Sequence, residues 1–277
     1  VKYTPKLPQT NVNVSRTSPL KEFLVLASAA LVIVVGIYIL MGFAVDWIIP
    51  HISIDLEKKM AHPFLNAIED KAGSPEMEDR LQQMIRALQE KCVDLPYTFR
   101  VHVHESEMIN AAAFPGGNLV VFTGLLDKVA TENELQFILA HEMGHYANRD
   151  HLRGLGRAVV LIAVSTVLFG ADSGAGNMLG SALNLTELRF SRKQETKADE
   201  YALDVLHCRF GHVAGCVDFF EKMPEEQDPG RYGHYFSTHP ENRKRIDHIQ
   251  NVAREKGYGF GDKKPLNHSS LFKFKER

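Results

Sequence analysis

The sequence predicts a mainly α chain with a small β-sheet (α+β), carried behind one N-terminal transmembrane helix. Three observations lead there: a long charge-free apolar run near the start, several segments of helical periodicity, and two short strand-like stretches. The 277 residues suffice for one large domain with an appendage. Lys and Arg number 32 against 34 Asp and Glu, a formal charge of -2. That balance argues against a nucleic-acid partner.

The apolar run, "FLVLASAALVIVVGIYILMGFAV", is residues 23–45 and carries no charge. As a helix it reaches about 35 Å, enough for a hydrocarbon core of roughly 30 Å, and Trp47 falls where an aromatic interface anchor belongs. The following "FAVDWIIP" offers no small-residue cleavage site, so a retained anchor is expected rather than a signal peptide. Lys2, Lys6, Arg16 and Lys21 precede the run, with no acid before Glu22, whereas the residues after it are of mixed sign. The positive-inside rule then keeps the N-terminus cytoplasmic and sends the rest across, in a bacterium through the inner membrane into the periplasm. The expected organisation is a disordered arm (1–21), the transmembrane helix (22–49), a connecting segment (50–74), a globular domain (75–255) and a flexible tail (256–277).

Within the domain, "SPEMEDRLQQMIRALQEKC" starts with a capping serine, Ser74, and Pro75 at the first helical position. Leu81, Met84, Ile85, Leu88 and Cys92 then share one helix face. "YTFRVHVH" alternates Phe99, Val101 and Val103 with polar residues and reads as a half-buried strand, its His102 and His104 facing water rather than a metal. "INAAAFPGGNLVVFTGLL" reads as an irregular stretch, a Pro-Gly-Gly turn and a strand. Asn118, Leu119, Val120 and Val121 are there the candidate edge along which an extended peptide pairs. Thr131 and Glu134 stand in capping-box spacing ahead of "LQFILAHEMGHYANRDH". A second apolar run, 158–169, is short for a span and is expected to be a core or interfacial helix, followed by a mobile Gly/Ser/Ala-rich loop. Three cysteines make no disulfide scaffold; Cys208 and Cys216 can pair in an oxidising compartment and leave Cys92 free, or remain thiols.

The chemistry concentrates in "HEMGH". Residues four apart share a helix face, so His141 and His145 can present both imidazoles to one ion, with Glu142 beside them as a base. His151 falls on the opposite side and is left out. Downstream, "SRKQETKADEYALDVL" places Glu195 and Asp199 four apart on a second helix, with Ala198 and Ala202 small enough for close packing. Glu195 is the expected third ligand of one zinc ion, and Asp199 the acceptor for a ligand histidine's N–H. The bland alternative is a solvated charged face shared with Lys193 and Lys197.

The series "NAAAFPGG…TGLL…HEMGH…RDH…SRKQETKAD…STHP…KRI" resembles the HtpX, CAAX prenyl protease and Oma-type family of membrane-linked zinc metallopeptidases. The resemblance covers most of residues 75–250 and implies a zincin-like metallopeptidase domain. It implies zinc on His141, His145 and Glu195, Glu142 as catalytic base, and a catalytic contribution from His239 of "STHP". It also matches Arg245 to a downstream arginine, a candidate substrate or transition-state contact. One anchor and no repeat place the chain nearer the single-anchor branches than the polytopic prenyl proteases. The expected function is therefore a membrane-anchored zinc endopeptidase acting on misfolded or envelope proteins. The competing readings are a zinc-bearing chaperone with latent proteolysis and, more distantly, a prenyl-type processing enzyme.

Overall fold

The computed structural model describes residues 18–69, 71–170, 190–223, 235, 238–239 and 242–267. The expected N-terminal arm and the Gly/Ser/Ala-rich loop lie outside the described residues.

Helix α1 (Pro19–Ile48) holds the apolar run. None of its residues is buried, Trp47 is 73% exposed, and it is long and apolar enough to cross a membrane. After a 3₁₀ turn (Ile49–His51), α2 (Ile54–Glu69) and α3 (Pro75–Gln89) follow. Ser74 caps α3, accepting a hydrogen bond from Met77 N at 3.2 Å, and Leu81, Ile85 and Leu88 are wholly buried.

Strands β1 (Arg100–His104), β2 (Ala111–Phe114) and β3 (Asn118–Phe122) form one sheet in the order β1-β3-β2, with β1 parallel and β2 antiparallel to β3. This corrects two sequence expectations. The stretch read as irregular contains β2, because three small alanines fit a strand buried on both faces although their β-propensity is low. And β3, with Asn118, Leu119, Val120 and Val121, is not an edge: both its flanks are paired and all five residues are buried. β1's outer side is closed by α3, where Gln82 accepts from Val101 N at 3.0 Å and Glu78 accepts from Val103 N at 2.9 Å. The outer side of β2 is the sheet's remaining edge.

One face of the sheet, with Leu119 and Val121, belongs to the main core with α3 and α5 (Glu132–Ala147). The other, with Val120, Phe122, Ala112 and Phe114, is covered by Met60 and Ile68 of α2 and Leu155 of α6 (Asp150–Phe169). The expected connecting segment is therefore part of the fold: Glu57 is wholly buried and Gly116, at φ 78°, donates its N–H to it at 3.3 Å. A side chain at Gly116 would meet the backbone of Lys58 at 2.9 Å, and that contact demands glycine there.

Short α4 (Thr123–Leu126) links β3 to α5. α6 runs antiparallel to α1, Arg149 reaching the carbonyls of Ile49 and Ile52 while Arg153 meets Asp46. Its apolar stretch is a helix beside α1, and Val159 in it is 50% exposed. Beyond it lie α7 (Arg192–Phe210), α8 (Asp218–Glu221) and α9 (Asn242–Glu255). The tail expectation is corrected over 256–267: Leu266 is buried and bonds Ala130 at 2.9 Å, and Lys264 N donates to Asn133 at 2.8 Å, tying this segment to the start of α5.

The cysteine expectation is also corrected. Cys208 pairs with Cys92, joining the end of α3 to α7 across 116 residues of sequence, and Cys216 is a buried free thiol. Gly211, at φ 75°, turns the chain inward after α7 and takes Cys216 into the core, away from the outward-facing Cys208.

Candidate metal centre

Thr131 caps α5, accepting from Glu134 N at 3.2 Å, as its spacing predicts. The reciprocal bond shifts by one residue: Glu134 accepts from Ala130 N at 2.9 Å and also pairs with Lys222 at 2.7 Å. Asn133 through Tyr146 are all buried, so α5 is a central core helix. α7 crosses it in close contact, and a Cβ on Gly144 would lie 2.8 Å from Ala198 Cα. That approach carries Glu195 and Asp199 to the two histidines.

His141 donates from Nδ1 to Asp199 Oδ1 at 2.9 Å, and His145 Nδ1 lies 3.2 Å from Asp150 Oδ2. With Nδ1 engaged, both rings turn Nε2 inward, to 3.6 and 3.5 Å from the two oxygens of Glu195. His239 donates from Nδ1 to Glu195 at 3.0 Å and holds Nε2 3.7 Å from Glu142 Oε1. His141, His145, Glu195 and His239 offer ligand atoms that all lie within 4.8 Å of one another, and all four residues are buried.

The donor set fits a metal ion. Two ligand atoms, each roughly 2.0–2.1 Å from one tetrahedral centre, stand roughly 3.3 Å apart, close to the 3.5 and 3.6 Å separations here. His145 Nε2 and Glu142 Oε2 are buried without a hydrogen-bond partner among the described residues, a costly state that bound metal and water relieve.

Buried charge dominates the surroundings. Arg245 donates from Nε and Nη2 to Asp199 at 2.9 and 2.7 Å, lies 2.7 Å from Glu195 through Nη1, and rests over Phe220 at 4.6 Å. Burial alone raises the Asp199 carboxyl, but Arg245 and His141 outweigh it and hold its pKa below the ordinary value. Burial likewise opposes ionisation of Glu195, yet His239 and Arg245 hold it well below the carboxylate range. Burial disfavours a charged His145, but Asp150 and Glu195 prevail and raise it to about 10. Replacing such charges with apolar groups is often neutral or stabilising, so their concentration points to a working site.

Residues 75–253 match the model of peptidase family M48. The chain belongs to peptidase family M48. Its relatives include the metalloprotease LoiP of Escherichia coli (strain K12), 31% identical over 64% of this chain and 71% of LoiP. The metalloprotease YcaL of the same organism is 28% identical over 62% and 68%, and mitochondrial OMA1 metalloendopeptidase of Danio rerio 29% over 73% and 46%. The chain is accordingly a metalloendopeptidase.

Set against the sequence expectations, this M48 chain brings His141, Glu142, His145, Glu195, Asp199 and His239 together. Arg245 lies beside them. It is 5% exposed and donates from Nε and Nη2 to Asp199, while Nη1 stands 2.7 Å from Glu195 without a hydrogen-bond partner among the described residues, so one nitrogen remains for the substrate or transition-state contact expected from sequence. His102 and His104 bond separately, to Asn118 at 3.0 Å and the Ile68 carbonyl at 3.3 Å. Sequence reasoning missed Asp150, because it ran one helix through His151. The chain breaks at Arg149, a non-glycine residue at φ 54°, and Asp150 opens α6. The signal available was an Asn-Arg-Asp run, with asparagine and aspartate at a helix boundary. His151 instead bonds Glu57 at 3.3 Å. Phe190, also unforeseen, stacks on His145 with ring centroids 3.8 Å apart.

Proposed function

We propose that this M48 chain is a membrane-anchored zinc endopeptidase that cleaves peptide bonds in unfolded or envelope proteins, with Glu142 as general base. One observation carries the reading: two histidines are aimed by their own carboxylates at a third carboxylate, with a free glutamate oxygen beside them. A His/carboxylate set of tetrahedral spacing favours zinc among divalent ions. Zinc held by His141, His145 and Glu195 supplies Lewis-acid polarisation of the scissile carbonyl and lowers the pKa of water towards about 7.

The chain's own residues do the rest. Asp199 and Asp150 keep the histidine tautomers and ring planes fixed. Glu142 takes the proton of the attacking water and returns it to the leaving amine. His239, its Nδ1 proton held by Glu195, carries a second proton on Nε2 as an imidazolium between Glu195 and Glu142 and donates it as a hydrogen bond to the developing oxyanion. The outer edge of β2, beside His239 and Phe190, receives the extended substrate strand in place of the β3 edge expected from sequence. α1 anchors the enzyme with its N-terminus in the cytoplasm of a bacterium and its site on the far side of the plasma membrane.

One observation favours a second reading, a chaperone-like module with latent proteolysis. Phe190 covers His145, and the free space between β2 and His239 is only about 10 Å³. Purified full-length chain, zinc-loaded, is therefore tested on casein with and without chelator. The enzyme reading expects chelator-sensitive cleavage, with Glu142→Gln slower by roughly 10²–10⁴-fold at unchanged zinc content. Equal cleavage by Glu142→Gln overturns the base assignment, and zinc-loaded protein that cleaves nothing favours the latent module.

A further inference from the structure

A cavity of about 690 Å³ opens between the end of α1, the α5–α6 junction and the first turns of α7; none of the four candidate ligands lines it, and Asp150, the carboxylate behind His145, stands in its wall. Five cations line it: Arg149, Arg153, Arg157, Lys193 and Lys197. Arg149 is committed to the carbonyls of Ile49 and Ile52, and Arg153 to Asp46 at 3.1 Å. The other three are not neutralised in this way. Arg157 reaches only to 3.8 Å from Asp46, and Lys193 and Lys197 are exposed with no ion pair among the described residues.

The lysines also stand against local rules. Lys193 occupies the positive end of the 19-residue helix α7, where a cation is disfavoured, and Lys197 lies four residues on, so the two like charges repel on one face. A bound anion relieves both.

Two elements fix the height of this cavity. On α1 the apolar run ends at Val45, followed by Asp46, exposed Trp47 and Pro50, and Asp46 and Pro50 line the cavity. On antiparallel α6 the change falls at the same level: a Cβ on Gly156 would meet Val45 at 2.8 Å, and uncharged residues follow Arg157 as far as Phe169. Both helices thus pass from apolar to charged at the mouth of the basic cavity, the depth at which phospholipid phosphates lie.

We propose that this cavity binds the phosphate of an anionic phospholipid headgroup between Arg157, Lys193 and Lys197, seating the helix that carries Glu195 on the bilayer surface. The inference rests on the reading of α1 as a membrane anchor. The full chain is reconstituted into phosphatidylcholine nanodiscs containing a minor fraction of phosphatidylglycerol, and the lipid retained after partial delipidation is measured by native mass spectrometry. Wild type is expected to retain phosphatidylglycerol in preference to phosphatidylcholine. The triple variant Arg157→Gln/Lys193→Gln/Lys197→Gln, altered only at the surface, is expected to lose at least about tenfold of that preference. Equal retention by wild type and variant, with the chain embedded in the discs, overturns the headgroup site and leaves the anchor standing. Wild type that shows no preference for phosphatidylglycerol yet retains inorganic phosphate, lost in the triple variant, overturns the lipid as ligand and assigns the cavity to a free anion. Failure of the chain to enter discs overturns the anchor and the site together.

Discussion

His239 lies against two of the site's carboxylates, donating to Glu195 at 3.0 Å and facing Glu142 at 3.7 Å, and its replacement separates ligation from oxyanion stabilisation. His239→Ala is expected to keep its metal and lose roughly 10²–10³-fold in kcat, the scale of a deleted oxyanion donor. Metal content by atomic absorption, measured beside peptide cleavage, decides it: metal lost in parallel with activity would make His239 a ligand. Asp150 and Asp199 work at the same scale, each fixing one imidazole through Nδ1. Arg245 in turn holds Asp199 through two nitrogens, which orients the acceptor of His141.

The meeting of α5 and α7 is decided by one missing side chain. Gly144 lets Ala198 approach so closely that an added Cβ would stand 2.8 Å from its Cα and 3.1 Å from its carbonyl oxygen, both backbone atoms that cannot step aside. Gly144→Ala is therefore expected to push the helices apart although alanine favours helix, and to destabilise the fold by about 1–3 kcal/mol. Calorimetry should show Tm lower by roughly 2–10 °C, with weaker metal retention because Glu195 retreats from the histidines. An unchanged Tm would mean that the crossing has room to spare. In the sheet, α3 side chains occupy the outer side of β1, which leaves β2 as the open edge among the described residues.

Across the whole molecule, Glu57 ties the segment after α1 to the domain. Tyr97 donates to it at 2.9 Å, Gly116 N at 3.3 Å, and His151 Nε2 lies 3.3 Å away. Burial opposes its charge, but His151, Tyr97 and Gly116 together hold the Glu57 pKa below 4.5. Burial keeps the His151 pKa below 6.5 despite Glu57. Both folded values lie under their unfolded ones, so each contributes stability that is complete above the unfolded value and disappears as pH falls through the folded one. With chelator in every sample, Tm is expected to fall as pH drops from about 7 to below 4.5, and Glu57→Gln to lower Tm at neutral pH and to remove the part of the fall that lies below pH 4.5. Parallel pH profiles for the two proteins would remove Glu57 from the account.

What the sequence determined by itself was local. A charge-free run long enough for a bilayer, the cap at Thr131, the His-Glu-His face of α5 and the Glu195/Asp199 pair on α7 all follow from helical periodicity, which relates residues within one turn or two. The tertiary structure decided which faces meet. It placed Asp150 behind His145 by breaking the helix at Arg149, enclosed Arg245 between two carboxylates, and joined Cys92 to Cys208 across 116 residues. It also moved the sheet edge from β3 to β2, because a strand's neighbours depend on segments far along the chain. The physical reason is common to all four. Hydrogen bonding within a helix fixes geometry over a few residues, whereas burial is non-directional and selects its partners only once distant segments compete for one core.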